Sequence, residues 1–269
     1  MLDIQSTRSD VDLERPADIR AFVAHVRPAL VVNAAAYTAV DDAERDVARC
    51  TRLNADAPAV LAEASMRLGA PLVHFSTNYV FDGTKDGAYT EDDAPSPSSV
   101  YGATKLAGER HVAGANPRHL ILRTAAVYGR HGRNFMNRIL ELAREREELR
   151  VVDDQYIAPT PAWLLADAAV KVIARLSDAA VPSGVFHVTT RGATSWYAFA
   201  ERILAADLDR GAQRVRSLVP VPTTEFPTPA RRPANGVLDV TKFERSFHRS
   251  LPEWKVALTQ TVAGTESWS

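Results

Sequence analysis

Three short apolar runs alternating with helical patterns constrain this 269-residue chain more than any other feature of it. Residues 29–34, 71–76 and 118–123 are rich in Val, Leu and Ile and are bounded by turn residues. That is the pattern of strands buried on both faces. Helical patterns lie around them at 16–26, 41–68 and 101–114. Pro16 suits a first helical turn, and Ser98 and Ser99 are candidate N-caps. Strands alternating with helices at this spacing predict an α/β fold built on a doubly wound parallel sheet.

The second half is less regular. It reads as helices at 135–146, 161–174, 195–207 and 251–262, strands at 149–152 and 184–188, and a loop at 153–161. Residues 220–233 hold five prolines and are expected to be a loop. The resulting division is a nucleotide-binding part at 1–130. A second, less contiguous part at 131–269 is mainly substrate-binding, with segments returning to the first.

Composition excludes several classes. With 32 basic and 33 acidic residues the net charge is −1, so no footprint for nucleic acid or an anionic membrane is expected. No apolar run approaches the ~18–20 residues of a membrane helix, and Met1 to Ser6 has no signal-peptide pattern. A cytoplasmic protein follows, with a homodimer left open. The single cysteine, Cys50, excludes an internal disulfide and a Cys-based metal cluster. His74, His111, His119 and His187 lack metal-ligand spacing, so no metal is expected. The first glycine is Gly69, and no G-x-G-x-x-G or P-loop pattern occurs.

Chemistry concentrates between residues 76 and 105. Ser76-Thr77-Asn78-Tyr79 ends a strand, and Tyr101-Gly102-Ala103-Thr104-Lys105 lies on a helix. Tyr101 and Lys105, four apart, share one helical face. An ammonium beside a phenol favours the phenolate, so the tyrosine becomes able to exchange a proton at a carbonyl or alcohol oxygen. The hydroxyl of Thr77 is placed to hold the same oxygen. Y-x-x-x-K alone is common on surface helices; its place after a strand ending in Ser-Thr makes it informative.

On these residues the chain resembles the extended short-chain dehydrogenase/reductases, and within them the dTDP-4-dehydrorhamnose reductases. The matching segments run in the family's order: 31–41, 54–58, 76–83, 101–109, Arg123-Thr124 with Val127-Tyr128-Gly129, and Arg232-Pro233-Ala234-Asn235. The resemblance implies a Rossmann-type sheet, NADPH or NADH as cofactor, and a dTDP-sugar whose C4 ketone is reduced. It implies Tyr101 as the acid, Lys105 as the group that lowers its pKa and bonds the nicotinamide ribose, and Thr77 as the third catalytic member. Asn33, Ala34, Ala35 and Ala36 would line the cofactor, with Asp12 and Leu13 beside the adenine. Thr77, Asn78, Ala126 and Arg232 would meet the substrate. Arg232 suits a diphosphate, and reads equally as a solvated surface arginine.

Three departures qualify the resemblance. The family's opening strand and glycine-rich turn have no counterpart, and Met1 to Ile4 looks like its second strand. The chain as given is therefore expected to be incomplete, and a form that truly began there should bind cofactor poorly. Asn78 stands where the family usually has Asp, and Ala126 where it has a substrate-contacting Trp. Loss of that Trp opens the sugar pocket, which points to a different 4-keto-6-deoxyhexose. The rival readings are a non-catalytic binding subunit on the same fold, and an epimerase or dehydratase. The last is disfavoured because Asn78-Tyr79 replaces the acidic pair it would need.

Overall fold

The computed structural model describes residues 6–7, 9–175 and 183–266. In chain order the first elements are α1 (Pro16–Val26), β1 (Val31–Asn33), α2 (Val40–Ala43), α3 (Val47–Thr51) and α4 (Ala57–Arg67). Then come β2 (Leu72–Thr77), α5 (Val100–Ala115), β3 (His119–Thr124), β4 (Val127–Tyr128) and α6 (Phe135–Glu145). Next are β5 (Glu148–Val152), β6 (Tyr156–Ile157), β7 (Thr160–Pro161), α7 (Ala162–Arg175) and β8 (Gly184–His187). The last are β9 (Thr194–Ser195), α8 (Trp196–Ala206), β10 (Ser217–Val221), α9 (Thr241–Phe247) and α10 (Trp254–Ala263).

Strands β1, β2, β3 and β8 form a parallel sheet in that order. Alternate residues of these strands point to opposite cores. Leu72 and Ile121 pack with Val112 of α5 and Ala62 of α4. Val73, Leu120, Leu122 and Phe186 pack with α7 and α9. Both faces are covered, as the apolar runs predict. A separate cluster joins α6, α8 and α10 around Tyr128, Phe199 and Trp254. Strands β5 and β10 pair in parallel beside it.

Several expectations change. Residues 1–4, read as a strand, lie outside the described residues. The 41–68 pattern is not one regular helix: α2 stands apart, and α3 runs on into α4 through a π-helical turn at Arg52–Asp56. Pro58 has no N–H to give the carbonyl of Asn54, and the Ala57 N–H reaches back to the Arg52 carbonyl. Residues 153–161 are not simply a loop, because β6 and β7 take short pairings with β9 and β4. The proline-rich stretch begins inside β10, an end strand whose Pro220 needs no N–H of its own. Helix α9 lies in a segment with no predicted element, where it covers the sheet.

Two glycines set how closely α5 approaches its neighbours. A Cβ at Gly102 would lie 2.2 Å from the Tyr79 carbonyl oxygen, and one at Gly108 would lie 2.1 Å from that of Asn54. Helix α5 therefore presses against both the short turn that follows β2 and the π turn. Among the described residues no helix is long and apolar enough to cross a membrane.

Candidate active site

Thr77, the last residue of β2, caps a short helical turn by accepting the Tyr79 N–H at 3.1 Å. Ser99 caps α5 by accepting the Gly102 N–H at 3.2 Å. These caps fix the end of β2 and the first turn of α5, which carries Tyr101. The Tyr79 ring stands edge-on to Tyr101 with centroids 5.5 Å apart. Lys105, one turn further, is 2% exposed. Its Nζ donates to the Phe75 carbonyl at 2.7 Å and lies 3.4 Å from Nε2 of His74.

The protonation states differ from the simple expectation of a lysine lowering a tyrosine. Burial pushes Tyr101 up to about 12, against the opposing hydrogen bond from Thr77. Burial pulls Lys105 down to about 8, against the charge of Glu109. Lys105 is held back against the strand, and Tyr101 is a phenol at neutral pH. A phenol is the form required of a proton donor. Glu109 is spent elsewhere: Arg123 donates to it at 2.9 and 2.6 Å, and Ser76 donates at 2.5 Å.

The stretch after β1 forms a bed of small side chains. Asn33 is buried, Ala34 and Ala35 are exposed, and Ala36 is half-buried. Asn33 Oδ1 accepts the Ala35 N–H at 3.2 Å. At the far end, fully buried Asn54 takes the Tyr37 N–H at 2.8 Å and gives its own N–H to the Tyr37 carbonyl at 3.1 Å. Its Nδ2 also lies 3.3 Å from Cys50 Sγ and from Thr104 Oγ1. The bed is thus pinned at both ends. An exposed run of methyl side chains at a strand's C-terminal end, with a lysine donor reached through His74, fits a dinucleotide laid across the sheet edge. Asp12 accepts the Glu14 N–H at 3.0 Å, and Leu13 packs on the α1–α4 cluster. The structure gives both of these a local role. Among the described residues no group of acidic, His or Cys side chains is placed to hold a metal ion.

A pocket of about 310 Å³ shares Tyr79 with this cluster. Its lining includes Asn78, Ala126, Phe135, Trp196 and Arg232. Asn78 donates to the Gly236 carbonyl at 3.2 Å. Ala126 is in the left-handed region at φ 44° and presents only a methyl group. Phe135 and Trp196 lie 4.5 Å apart between centroids. Arg232 donates to Asp41 Oδ2 at 2.6 Å and to the Tyr79 hydroxyl at 3.1 Å. Phe135 lines this pocket, Asp41 pairs with Arg232 and His74 meets Lys105; of the three only Asp41 lies in a segment, 31–41, that the family resemblance marks. Their roles come from partners distant in sequence.

The RmlD substrate binding domain model matches residues 2–267. A curated dTDP-4-dehydrorhamnose reductase of Burkholderia thailandensis is 44% identical over 258 residues, 93% of this chain and 87% of that protein. One of Escherichia coli K12 is 41% identical over 261 residues, 97% of this chain and 87% of that protein. Among solved structures, a dTDP-4-dehydrorhamnose reductase of Clostridium acetobutylicum superposes with a TM-score of 0.90 at 36% identity. That superposition covers 98% of this chain and 90% of the other. One of Bacillus anthracis, solved in complex with NADP, gives 0.87 at 32% identity over 96% and 89%.

Proposed function

The chain belongs to the RmlD substrate binding domain family, and from that premise we infer that it is an NAD(P)H-dependent oxidoreductase reducing the C4 ketone of a dTDP-4-keto-6-deoxyhexose. Relatives named as reductases support turnover rather than a binding-only subunit. The site assignment is supported by the placement of Tyr101 and Lys105 one turn apart on α5 and of Thr77 at the end of β2, with Tyr79 edge-on to Tyr101 and lining the pocket that Arg232 also lines.

A reduced nicotinamide, when bound, supplies the hydride. The bed at 33–36 and Lys105 would hold it, and their small or donor side chains suit that task. Tyr101 gives its phenolic proton to the ketone oxygen as the alcohol forms, while the Thr77 hydroxyl orients that oxygen. The phenolate left behind is the form that an ammonium at Lys105 stabilises. Arg232 exchanges its contacts with Asp41 and Tyr79 for the substrate's diphosphate, which its planar fork can grip bidentately. Trp196 and Phe135 shape the sugar end.

Tyr101→Phe tests the assignment. It should cut NADPH oxidation with a dTDP-4-keto-6-deoxyhexose by roughly 100-fold or more, with an unchanged circular dichroism spectrum. Undiminished turnover would remove Tyr101 from the chemistry. The wall at Ala126 sets the choice of sugar: a panel of 4-keto-6-deoxyhexose epimers should reveal a substrate other than the rhamnose precursor, and reduction of that precursor alone refutes this.

A further inference from the structure

His74 is fully buried on β2, opposite Asn33 in register, and the reaction described above does not use it. Its two ring nitrogens face two residues of the site. Nδ1 lies 3.1 Å from Asn33 Nδ2. Nε2 lies 3.4 Å from Lys105 Nζ. The Asn33 amide is oriented independently, because its oxygen accepts the Ala35 N–H. Its nitrogen must then donate to His74, and Nδ1 must accept. A neutral imidazole with a free Nδ1 carries its proton on Nε2. That proton points at Lys105.

An amine at Lys105 accepts it and still donates to the Phe75 carbonyl. An ammonium has no lone pair and cannot. Charging Lys105 therefore drives the imidazole proton to Nδ1 and turns the Asn33 amide, which takes its oxygen away from Ala35. We propose that His74 is a positioning residue that couples the protonation of Lys105 to the Asn33 amide and so to the alanine bed. The coupling rests on the reading that Lys105 and the bed serve the reduction.

Other charged and titratable groups facing Lys105 do not replace this link. Tyr101 and Glu109 share its helix, Cys50 approaches from α3, and Glu109 is paired to Arg123 of β3. Burial and the neighbouring lysine hold His74 well below the usual histidine range. The ring therefore changes tautomer rather than charge across the range where Lys105 titrates.

The test is nitrogen-15 magnetic resonance of the His74 ring and the Lys105 amine in the whole protein, from about pH 6 to about pH 10. His74 should carry its proton on Nε2 at high pH and on Nδ1 at low pH, with one midpoint shared by Lys105. Asn33→Asp offers only acceptors, fixes the proton on Nδ1, and should raise the proton affinity of Lys105 roughly tenfold or more. In a His74→Met background the same change should raise it less than about threefold. Equal shifts in both backgrounds, or an Nδ1–H ring at every pH, overturn the proposal. The wild-type tautomer decides it even where His74→Met fails to fold. No substrate is needed, so the result is separate from the catalytic reading. That reading fails instead if Lys105→Met still reduces substrate.

Discussion

His187 has no exposed surface, and its Nδ1 lies 3.1 Å from the Tyr89 carbonyl oxygen. Its Nε2 finds no hydrogen-bond partner among the described residues. Burial, reinforced by Arg123, pulls its pKa from 6.5 down to about 3. The unfolded chain therefore binds a proton that the folded chain refuses between those values. Stability from this group is complete above the unfolded pKa and is lost as pH falls toward the folded one. The expected loss is about 2 kcal/mol between roughly pH 7 and pH 4.5. Urea unfolding should show it in the natural chain, and His187→Asn should flatten that part of the pH dependence. An equally steep profile in the variant assigns the effect to the carboxylates.

Among the elements, α5 carries the closest contacts. An added methyl at Gly108 meets a backbone oxygen that belongs to the π turn, so neither side can yield cheaply. Gly108→Ala should destabilise by about 1–3 kcal/mol and reduce turnover as well, measured by urea midpoint and by assay. Strands β2 and β3 and helices α1, α5 and α6 were legible because their apolar spacing reflects burial directly. The π turn was not. Pro58 marks a break, but the Asn54 grip on Tyr37 spans 17 residues and exists only after folding. Two-residue strands such as β6 and β9 were equally silent, since nothing local selects their pairing. At the site, Thr77, Tyr101 and Lys105 formed a readable motif. Asp41 lies in the 31–41 segment, but its pairing was not readable, because its partner Arg232 lies 191 residues away.

Across the whole molecule, the pocket draws on both halves of the chain, from Thr38 to Gly236. β8, α7 and α9, all late in sequence, return to complete the first sheet and its core. Arg232 fastens the proline-rich loop to α2 through Asp41. Arg232→Lys keeps the charge and loses the fork. The KM for the nucleotide sugar should rise about tenfold with kcat within about threefold, as steady-state kinetics will show. A fall in kcat alone places Arg232 in the chemistry instead.

Cys50, the chain's only cysteine, is wholly buried against Thr104 and Asn54, where burial pushes its thiol up and those hydrogen bonds oppose the shift. Nature has thereby installed a chemical clock at the back of the site. A thiol reagent must wait for a local opening to reach that buried sulfur, so its labelling rate should count such openings without any engineered probe. A ligand that settles on the bed tightens the packing around that sulfur through Asn54, and should slow the clock.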